Sequence, residues 1–387
     1  MPATVLTGAR QTGKSTLAAA EGDASRTFVT LDDPAVAEVA STDPSALLAG
    51  AKPITIDEIQ LAPSLLRSVK QSIDRNRRNG RVLLTGSANL LMMSKVTESL
   101  AGRASYLTLW PMTRREQRGL GRAGLWSELL AARDEEWPAL LESDQTGPED
   151  WTALAMRGGF PTPAVHQTDP EDRSIWFDGY VRTYLERDLR ALSNIGSLPD
   201  FRRLMRATAL RIGQLVNQSE LGRDVALPQP TVHRYLNLLE TSYMLVRLPP
   251  YASNRTVRLV KSPKLFWADT GLALHLAGES TPRGPHLESI VLQDLMVWRD
   301  AQVRRHELCF WRTSRGEEVD FVVDAGDQLL PIEVKSSARP GVNDTAGLRA
   351  IRESLGKRSR AGLLLHTGRE TKWILPGILA TPWWRVI

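Results

Sequence analysis

The segment ATVLTGARQTGKST, Ala3–Thr16, sets the architecture expected for this chain. Its first half is a short apolar run typical of a buried strand, and its second half fits the spacing G-x-x-x-x-G-K-[ST]. In such a turn, successive backbone N–H groups point at a phosphate, and the following helix presents its positive N-terminus to the same anion. The sequence therefore predicts a phosphate-binding loop that consists of Gly8, Ala9, Arg10, Gln11, Thr12, Gly13, Lys14, Ser15 and Thr16.

Residues of this loop and of a second segment are expected to bind ATP and Mg²⁺. Lys14 would reach the β- and γ-phosphates, Ser15 would ligate Mg²⁺, and Thr16 would touch the α-phosphate. A carboxylate pair, Asp57 and Glu58, directly follows a second short apolar strand. Asp57 would hold Mg²⁺ through water, and Glu58 would polarise the water that attacks the γ-phosphate.

Strands alternate with helices through the first 110 residues, which predicts a doubly wound parallel sheet with its site at the carboxyl ends of the strands. The fourth strand ends in three polar residues, Thr85, Ser87 and Asn89. Beside the carboxylates they would sense the γ-phosphate, although Ser87 and Asn89 are also common turn formers. One helix is expected over Pro34–Ala49.

Length and composition exclude several classes of protein. The 387 residues suggest two or three domains, and no apolar run approaches the roughly 20 residues of a membrane span. The N-terminal sequence has no secretion signal. The single cysteine, Cys309, cannot form an internal disulfide, so we expect a reducing, cytoplasmic location.

Charge is distributed unevenly along the chain. The net charge is only +5, yet residues 182–261 hold 13 basic and 6 acidic residues. Residues 134–150 hold 7 acidic residues and neither Lys nor Arg, and with Gly147-Pro148 they are expected to form a loop or a linker. The basic segment favours a polyanionic partner, and a solvated basic face is the alternative.

Within the basic segment, three helical patterns precede a possible β-hairpin, in the order of a winged helix-turn-helix. The third helix would enter the major groove of DNA and the hairpin would lie near phosphates. We expect contact with DNA that depends little on sequence, with dimerisation or lid function as the alternative. The candidate residues are Gln229, Thr231, His233 and Arg234 on the helix, and Arg255 and Arg258 on the wing.

The C-terminal third contains Asp320 and, 13 residues later, Glu333 and Lys335, in a pattern that resembles the D…ExK core of restriction-like nucleases. Alternate residues of a strand share a face, so Glu333 and Lys335 point the same way and Asp320 meets Glu333 across an antiparallel pair. Glu288 would complete a Mg²⁺ site, and Lys335 would orient the attacking water. Retention of the fold for binding alone is the alternative.

Several motifs, in order along nearly the whole chain, resemble the prokaryotic AAA-type P-loop ATPases that end in a restriction-endonuclease-like domain. The resemblance implies an α/β protein with an AAA-type ATPase core and helical extension at 1–175, a winged-helix-like basic domain at 176–260 and a nuclease-like domain at 261–387. The motifs are LDDP (31–34), IDEIQLAP (56–63), LLTGSA (83–88), ESLAGR (98–103), GGFP (158–161), SPKLFWADTGL (262–272), and EVDFVV with IEVK (318–335).

The resemblance also implies a site between subunits of a homo-oligomer, with a hexamer as one ring size to consider. An arginine of the neighbouring subunit would stabilise the transferred phosphate, and the candidates are Arg103 and, as alternatives, Arg114 and Arg115. The function expected is Mg²⁺-dependent ATP hydrolysis coupled to DNA binding and remodelling in repair, recombination or defence. The alternatives are a signalling or scaffold ATPase whose added domains bind proteins, and an ATP-gated nuclease.

Overall fold

The computed structural model describes residues 1–21, 25–50, 52–87, 100–167, 169–184, 196–252, 262–304 and 306–387. These residues form two units, of which the first comprises Met1–Trp110, Val181–Gly196 and Asn237–Met244. The second comprises Pro111–Tyr180, Ser197–Leu236 and Leu245–Ile387. The boundaries inferred near residues 175 and 260 stay a prediction. Within the described ranges, no helix is both long and apolar enough to cross a membrane.

The first unit is built on a five-stranded sheet in which every neighbouring pair is parallel. The strand order is β2-β3-β4-β1-β5, so β4 lies between the strand before the phosphate loop and the strand that ends in the carboxylates. This arrangement confirms the predicted parallel sheet. The strands are β1 (Ala3–Thr7), β2 (Thr27–Thr30), β3 (Ile54–Asp57), β4 (Val82–Thr85) and β5 (Ala104–Thr108).

Helices of the first unit bury their apolar faces against this sheet. Val69 and Ile73 of one helix share a core with Ile56 and Leu84 of the strands. The prediction of a single helix over Pro34–Ala49 is wrong, because the chain breaks at Asp43, whose side chain accepts a hydrogen bond from Ala46 N and caps a new helix. The helices are α1 (Lys14–Ala20), α2 (Pro34–Thr42), α3 (Pro44–Leu48) and α4 (Leu65–Arg75).

The second unit contains a six-stranded mixed sheet with the order β12-β13-β11-β10-β9-β8. The central strands β10, β11 and β13 are parallel, and the outer pairs are antiparallel. The strands are β8 (Glu307–Arg312), β9 (Glu318–Asp324), β10 (Leu329–Lys335), β11 (Gly362–His366), β12 (Lys372–Leu375) and β13 (Ile378–Pro382).

Strands of this sheet are contacted by the helices Gly284–Ala301, Ala346–Leu355 and Trp383–Val386. The segment Thr162–His166 is a short π-helix. The helices are α5 (Arg114–Gln117), α6 (Trp126–Ala131), α7 (Trp137–Glu142), α8 (Trp151–Arg157), α9 (Pro170–Thr183), α10 (Leu198–Leu210), α11 (Gln218–Asp224), α12 (Gln229–Thr241), α13 (Thr270–Ala277), α14 (Gly284–Ala301), α15 (Ala346–Leu355) and α16 (Trp383–Val386).

In the part of the basic segment that the structure describes from residue 196 onward, helices α10 to α12 precede strand β6 (Leu245–Leu248). Helix α11 is capped by Asn217, whose side chain accepts from Ser219 N and Glu220 N. Strand β6 pairs antiparallel with β7 (Lys264–Trp267). The strand predicted as its partner, 256–261, lies outside the described residues.

The acidic segment is only in part the loop that its composition suggested, because residues 144–150 contain neither helix nor strand, whereas its first half is helical. Residues Asp134–Glu136 form a 3₁₀ turn, and α7 follows with Trp137 and Leu141 fully buried. Its carboxylates neutralise arginines that are distant in sequence: Asp134 pairs with Arg360, and Asp144 pairs with Arg115. The acidic run is therefore a set of counter-ions for the second unit.

Candidate functional site

The phosphate loop depends on backbone angles that favour glycine. Gly8 has φ 146° and Gly13 has φ 93°, both in the region that side chains disfavour. A Cβ atom on Gly8 would collide with the carbonyl of Leu109. The motif spacing found in the sequence therefore corresponds to a specific turn between β1 and α1.

Lys14 lies inside this turn and is only 5% exposed. Its Nζ donates to the carbonyl of Ala9 at 2.6 Å, and the Thr12 hydroxyl donates to the same oxygen at 3.0 Å. An ammonium held beside the N-terminus of α1 adds to the positive potential of the helix end. The loop is thus suited to an anion such as a nucleotide phosphate.

Asp57, the last residue of β3, joins the loop to the neighbouring strands. Its Oδ1 accepts from the hydroxyl of Ser15 at 2.8 Å and from the hydroxyl of Thr85, and its Oδ2 accepts from Thr30 at 3.3 Å. Asp57 is 3% exposed. Three residues chosen from the sequence, Ser15, Asp57 and Thr85, therefore meet at one point, and their hydroxyl and carboxylate oxygens are the hard ligands that suit Mg²⁺.

Glu58 follows Asp57 in a left-handed conformation, with φ 56°. This is uncommon for a residue other than glycine and is often found where a side chain must be aimed. Its backbone N–H donates to the Thr85 hydroxyl at 3.2 Å, and its carboxylate accepts from Gln60. Because the side chain is half-buried, the carboxylate can reach water above the loop. Ser87 is buried after β4, and Asn89 lies outside the described residues.

Arg103 lies at the opposite end of the strands from the phosphate loop. Its carbonyl accepts from the backbone N–H of Ala3, at the start of β1, whereas the loop follows the end of that strand about 13 Å away. Its guanidinium makes a bidentate pair with Asp74, at 2.6 and 3.0 Å, and this hydrogen bonding lowers the pKa of Asp74. Arg103 is consequently remote from the loop of its own subunit.

The two alternative arginines serve the interior of the second unit. Arg114 and Arg115 are at most 2% exposed. Arg114 donates to the carbonyl of Ile387 at 2.7 Å and to Glu149 at 2.9 Å, and Arg115 pairs with Asp144 at 2.7 Å. Neither side chain is available to a neighbouring subunit, so these two alternatives are wrong.

The residues proposed for DNA contact lie in the first half of α12. Gln229, His233 and Arg234 are exposed, and Thr231 is half-buried. The opposite face of the helix packs inward, with Tyr235 edge-on to the ring of Phe201 at 4.9 Å between centroids. Arg255 and Arg258 lie outside the described residues.

In the C-terminal sheet, Asp320 and Glu333 are the next residues on β9 and β10 after the registered pair Phe321–Ile332. Asp320 Oδ2 accepts from Val334 N at 3.0 Å, and Lys335 Nζ donates to Glu333 at 2.6 Å. Burial, together with the nearby Asp320 carboxylate, raises the pKa of Glu288 and of Glu333. The residues predicted from the sequence are thus close in the fold.

These carboxylates do not form a metal site in the structure, since the described residues contain no group of three or more His, Cys, Asp or Glu side chains placed to hold an ion. The reason is a residue that the sequence analysis missed. Lys264 of β7, 4% exposed, lies 3.2 Å from Asp320 Oδ1 and 3.9 Å from Glu288 Oε2, and it also pairs with Glu318. The feature of the sequence that could have pointed to Lys264 is its position within the motif SPKLFWADTGL.

Two other motifs meet each other in the second unit. Asp269, which caps α13 by accepting from Leu272 N at 2.7 Å, also accepts from Gly159 N at 2.6 Å. Gly158 has φ 67°, and a Cβ atom there would come within 2.5 Å of the Asp269 carboxylate. The GGFP and ADTG sequences therefore hold two helices together.

Asp294 on α14 is a buried carboxylate with incomplete hydrogen bonding. Its Oδ1 accepts from Trp126 Nε1 at 2.6 Å and from Gly124 N at 2.9 Å, whereas Oδ2 has no hydrogen-bond partner. Burial raises the pKa of Asp294 to about 7. The folded protein therefore binds this proton more tightly than the unfolded chain does.

Asp294→Asn is expected to change how stability depends on pH. In the wild type, the effect of this carboxyl on the free energy of unfolding is most favourable below the pKa that it has in the unfolded chain. That free energy then falls by up to about 1.4 kcal/mol per pH unit as the pH rises toward 7. Asparagine keeps the Oδ1 acceptor and carries no charge. The difference in melting temperature, variant minus wild type, should therefore increase by several degrees from pH 5 to pH 8. Asp300→Asn on the same helix is the control, and a difference that does not vary with pH would contradict the assignment.

Comparisons with known proteins agree with this arrangement. A family model for an AAA domain matches residues 1–117, a domain of unknown function, DUF8612, matches 148–283, and another, DUF4143, matches 283–386. Uncharacterized proteins of Mycobacterium bovis and Mycobacterium tuberculosis are each 30% identical over 391 residues, which cover 98% of this chain and 80% of theirs.

The alignment with a crystal structure of protein VC1899 from Vibrio cholerae covers 98% of this chain and 94% of that chain at 12% identity. The TM-score is 0.19. The AAA domain match supports nucleotide hydrolysis in general terms and agrees with the loop and carboxylates described above. The chain belongs to the family of AAA-type ATPases that carry an AAA domain at the N-terminus and the DUF4143 domain at the C-terminus.

Proposed function

We propose that this protein is a Mg²⁺-dependent ATPase that works as a cytoplasmic homo-oligomer and binds and remodels DNA. The observation that carries the ATPase proposal is the hydrogen-bonded group of Ser15, Asp57 and Thr85 beside the phosphate loop. It joins the end of β3, the end of β4 and the start of α1. A nucleotide bound at the loop would therefore contact side chains from all three elements.

Each residue at this site has a definable task. Ser15 and Asp57 would hold Mg²⁺, which neutralises charge on the phosphates when it is bound. Lys14 would bind the β- and γ-phosphate oxygens. Glu58 would accept a hydrogen bond from the attacking water, and Thr85 fixes the geometry by bonding both Asp57 and the Glu58 backbone.

Support for DNA as the partner comes from the order of elements in the basic segment. Three helices are followed by the antiparallel pair β6–β7, and the segment between α10 and α11 adds to β7, with Leu265 N donating to Gln214 O at 2.9 Å. A third helix and a small sheet in this order are typical of a winged helix. The exposed start of α12 would then face the major groove.

The decisive experiment measures ATP hydrolysis with no DNA and with duplex, single-stranded or branched DNA. We expect at least tenfold stimulation by one of these, and a steep fall in DNA binding with added salt. Absence of stimulation together with absence of binding at low salt would instead favour a signalling or scaffold ATPase whose added domains bind proteins. Basal hydrolysis without DNA tests the ATPase proposal separately.

Arg234→Ala is expected to weaken DNA binding about tenfold and to lower the salt dependence by about one counter-ion, because one phosphate contact is lost. Arg133→Ala is a matched control, since Arg133 is an exposed arginine that pairs with Glu136, three residues away. Fluorescence anisotropy at several salt concentrations gives both quantities. An equal loss in the two variants would show that only net charge matters, and would contradict the placement of α12 in the major groove.

A further inference from the structure

We propose that Lys264 is the resident cation of the DUF4143 domain, filling with its ammonium the position that a divalent metal would take among Glu288, Glu318 and Asp320. This proposal concerns the second unit alone and is independent of the ATPase and DNA proposals. It assigns a role to a residue that neither the nuclease-like motif nor the phosphate loop includes.

The contacts of Lys264 are those of a central cation. Its Nζ pairs with the carboxylates of Glu318 and of Asp320, the latter at 3.2 Å, and lies 3.9 Å from Glu288 Oε2. The ring of Phe310 lies 5.7 Å from Nζ and closes the remaining side with its π face. A Mg²⁺ ion binds oxygens at about 2.0–2.1 Å, so it cannot occupy this space while the ammonium is present.

The charges around Lys264 also favour a cation at this position. Four carboxylates converge in this region, and they are Glu288, Glu318, Asp320 and Glu333. Lys335 neutralises Glu333, and Arg312 lies 3.6 Å from Glu318. Lys264 is in contact with both Asp320 and Glu288, and loss of its charge would leave these buried carboxylates close to one another, which is strongly unfavourable. The positive charge of Lys264 therefore offsets the negative charge that converges here.

A spare ligand shows that the cluster has capacity beyond the lysine. Glu333 is more than nine-tenths buried, and its Oε2 has no hydrogen-bond partner. A small cation in place of the ammonium would have this oxygen available in addition to the three carboxylates that now face Lys264. Removal of the lysine charge should therefore create a metal site rather than an empty cavity.

The backbone holds Lys264 in place. Within β7, the residues on either side of it are bound to the segment that follows α10: Val216 N donates to Pro263 O at 2.9 Å, and Leu265 N donates to Gln214 O at 2.9 Å. On its other edge, β7 pairs with β6. Pairing on both edges therefore fixes the backbone position from which the Lys264 side chain reaches the carboxylates.

The test is Mn²⁺ binding to the full-length chain without nucleotide, measured by calorimetry and by the paramagnetic signal of free Mn²⁺. Lys264→Met keeps the apolar stem of the side chain and removes the terminal ammonium with its charge, which leaves the position of Nζ open. We expect wild type to show no Mn²⁺ binding that depends on Asp320, and Lys264→Met to gain one site at least tenfold tighter than any in wild type. That site should disappear when Asp320→Asn is added, whereas Lys264→Arg should not gain it.

Thermal melting provides a second readout. Lys264→Met should melt several degrees below wild type without metal and recover with Mn²⁺, whereas the wild-type melting temperature should not respond through Asp320. If wild type itself binds Mn²⁺ at a site that Asp320→Asn removes, the proposal is overturned, and this measurement needs no variant of Lys264. A folded Lys264→Met that gains no Asp320-dependent site would also overturn it.

Discussion

Glu58→Gln is expected to lower the rate of ATP hydrolysis by about 10²–10⁴-fold while nucleotide affinity changes little. Glu58 follows Asp57 directly, its side chain is half-buried, and its backbone is in the left-handed conformation. Glutamine has the same shape and can still hydrogen-bond Gln60, but it carries no negative charge to draw a proton from water. The loss should therefore fall on the chemical step, because the contacts to phosphate and Mg²⁺ are made by Lys14, Ser15 and Asp57.

The measurement pairs steady-state hydrolysis with binding of a fluorescent ATP analogue. Glu38→Gln is the matched control, since Glu38 is an exposed glutamate on α2 in the same unit. It should hydrolyse ATP at the wild-type rate. If Glu58→Gln retained more than a third of wild-type turnover, Glu58 would not be the water-polarising residue, and the mechanism proposed for this site would have to be abandoned.

The nucleotide site could be predicted from sequence because its determinants are local. The loop needs a strand, two glycines, a lysine and a serine within 14 residues, and each requirement is visible in Ala3–Thr16. The carboxylates follow a short apolar strand, and a parallel sheet brings the carboxyl ends of its strands to one edge. For this reason Thr85 could be placed beside Asp57 before the structure was known.

Features that depend on distant partners could not be predicted. The acidic segment looked like a linker because its counter-ions are far away in sequence: Asp134 binds Arg360, and Asp144 binds Arg115. Charge patterning reports only near neighbours, so it cannot distinguish a solvated acidic run from one that is neutralised in the fold. The same limit explains why Arg114 and Arg115 were candidates for an arginine that reaches a neighbouring subunit, although both are buried.

The C-terminal carboxylates are a third case, in which the sequence predicted that the carboxylates lie together but did not predict which cation lies between them. Register on β9 and β10 brings Asp320 beside Glu333, as alternation along a strand predicts. The cation in contact with Asp320 comes from Lys264, 56 residues earlier and on a different strand. Spacing within a motif gives the positions of the carboxylates but not the identity of the cation between them.

Arg103→Ala is expected to reduce ATP hydrolysis about 10³-fold with little change in nucleotide binding, if Arg103 completes the site of a neighbouring subunit. The structure places Arg103 at the end of the strands remote from its own loop and in a bidentate pair with Asp74. Asp74→Ala distinguishes the two roles, because it breaks the same ion pair and leaves the arginine present. If Arg103 stabilises the transferred phosphate in the neighbouring subunit, only Arg103→Ala should lose turnover.

Mixing two inactive variants tests the arrangement between subunits directly. Arg103→Ala retains an intact loop and Glu58, and Glu58→Gln retains Arg103, so at equal concentrations about a quarter of the interfaces in a cyclic oligomer would combine both intact halves. Hydrolysis should reappear on mixing and rise with protein concentration. A mixture no more active than its components, or equal losses in Arg103→Ala and Asp74→Ala, would show that this ion pair only stabilises the first unit, because a site contained in one subunit cannot be restored by another.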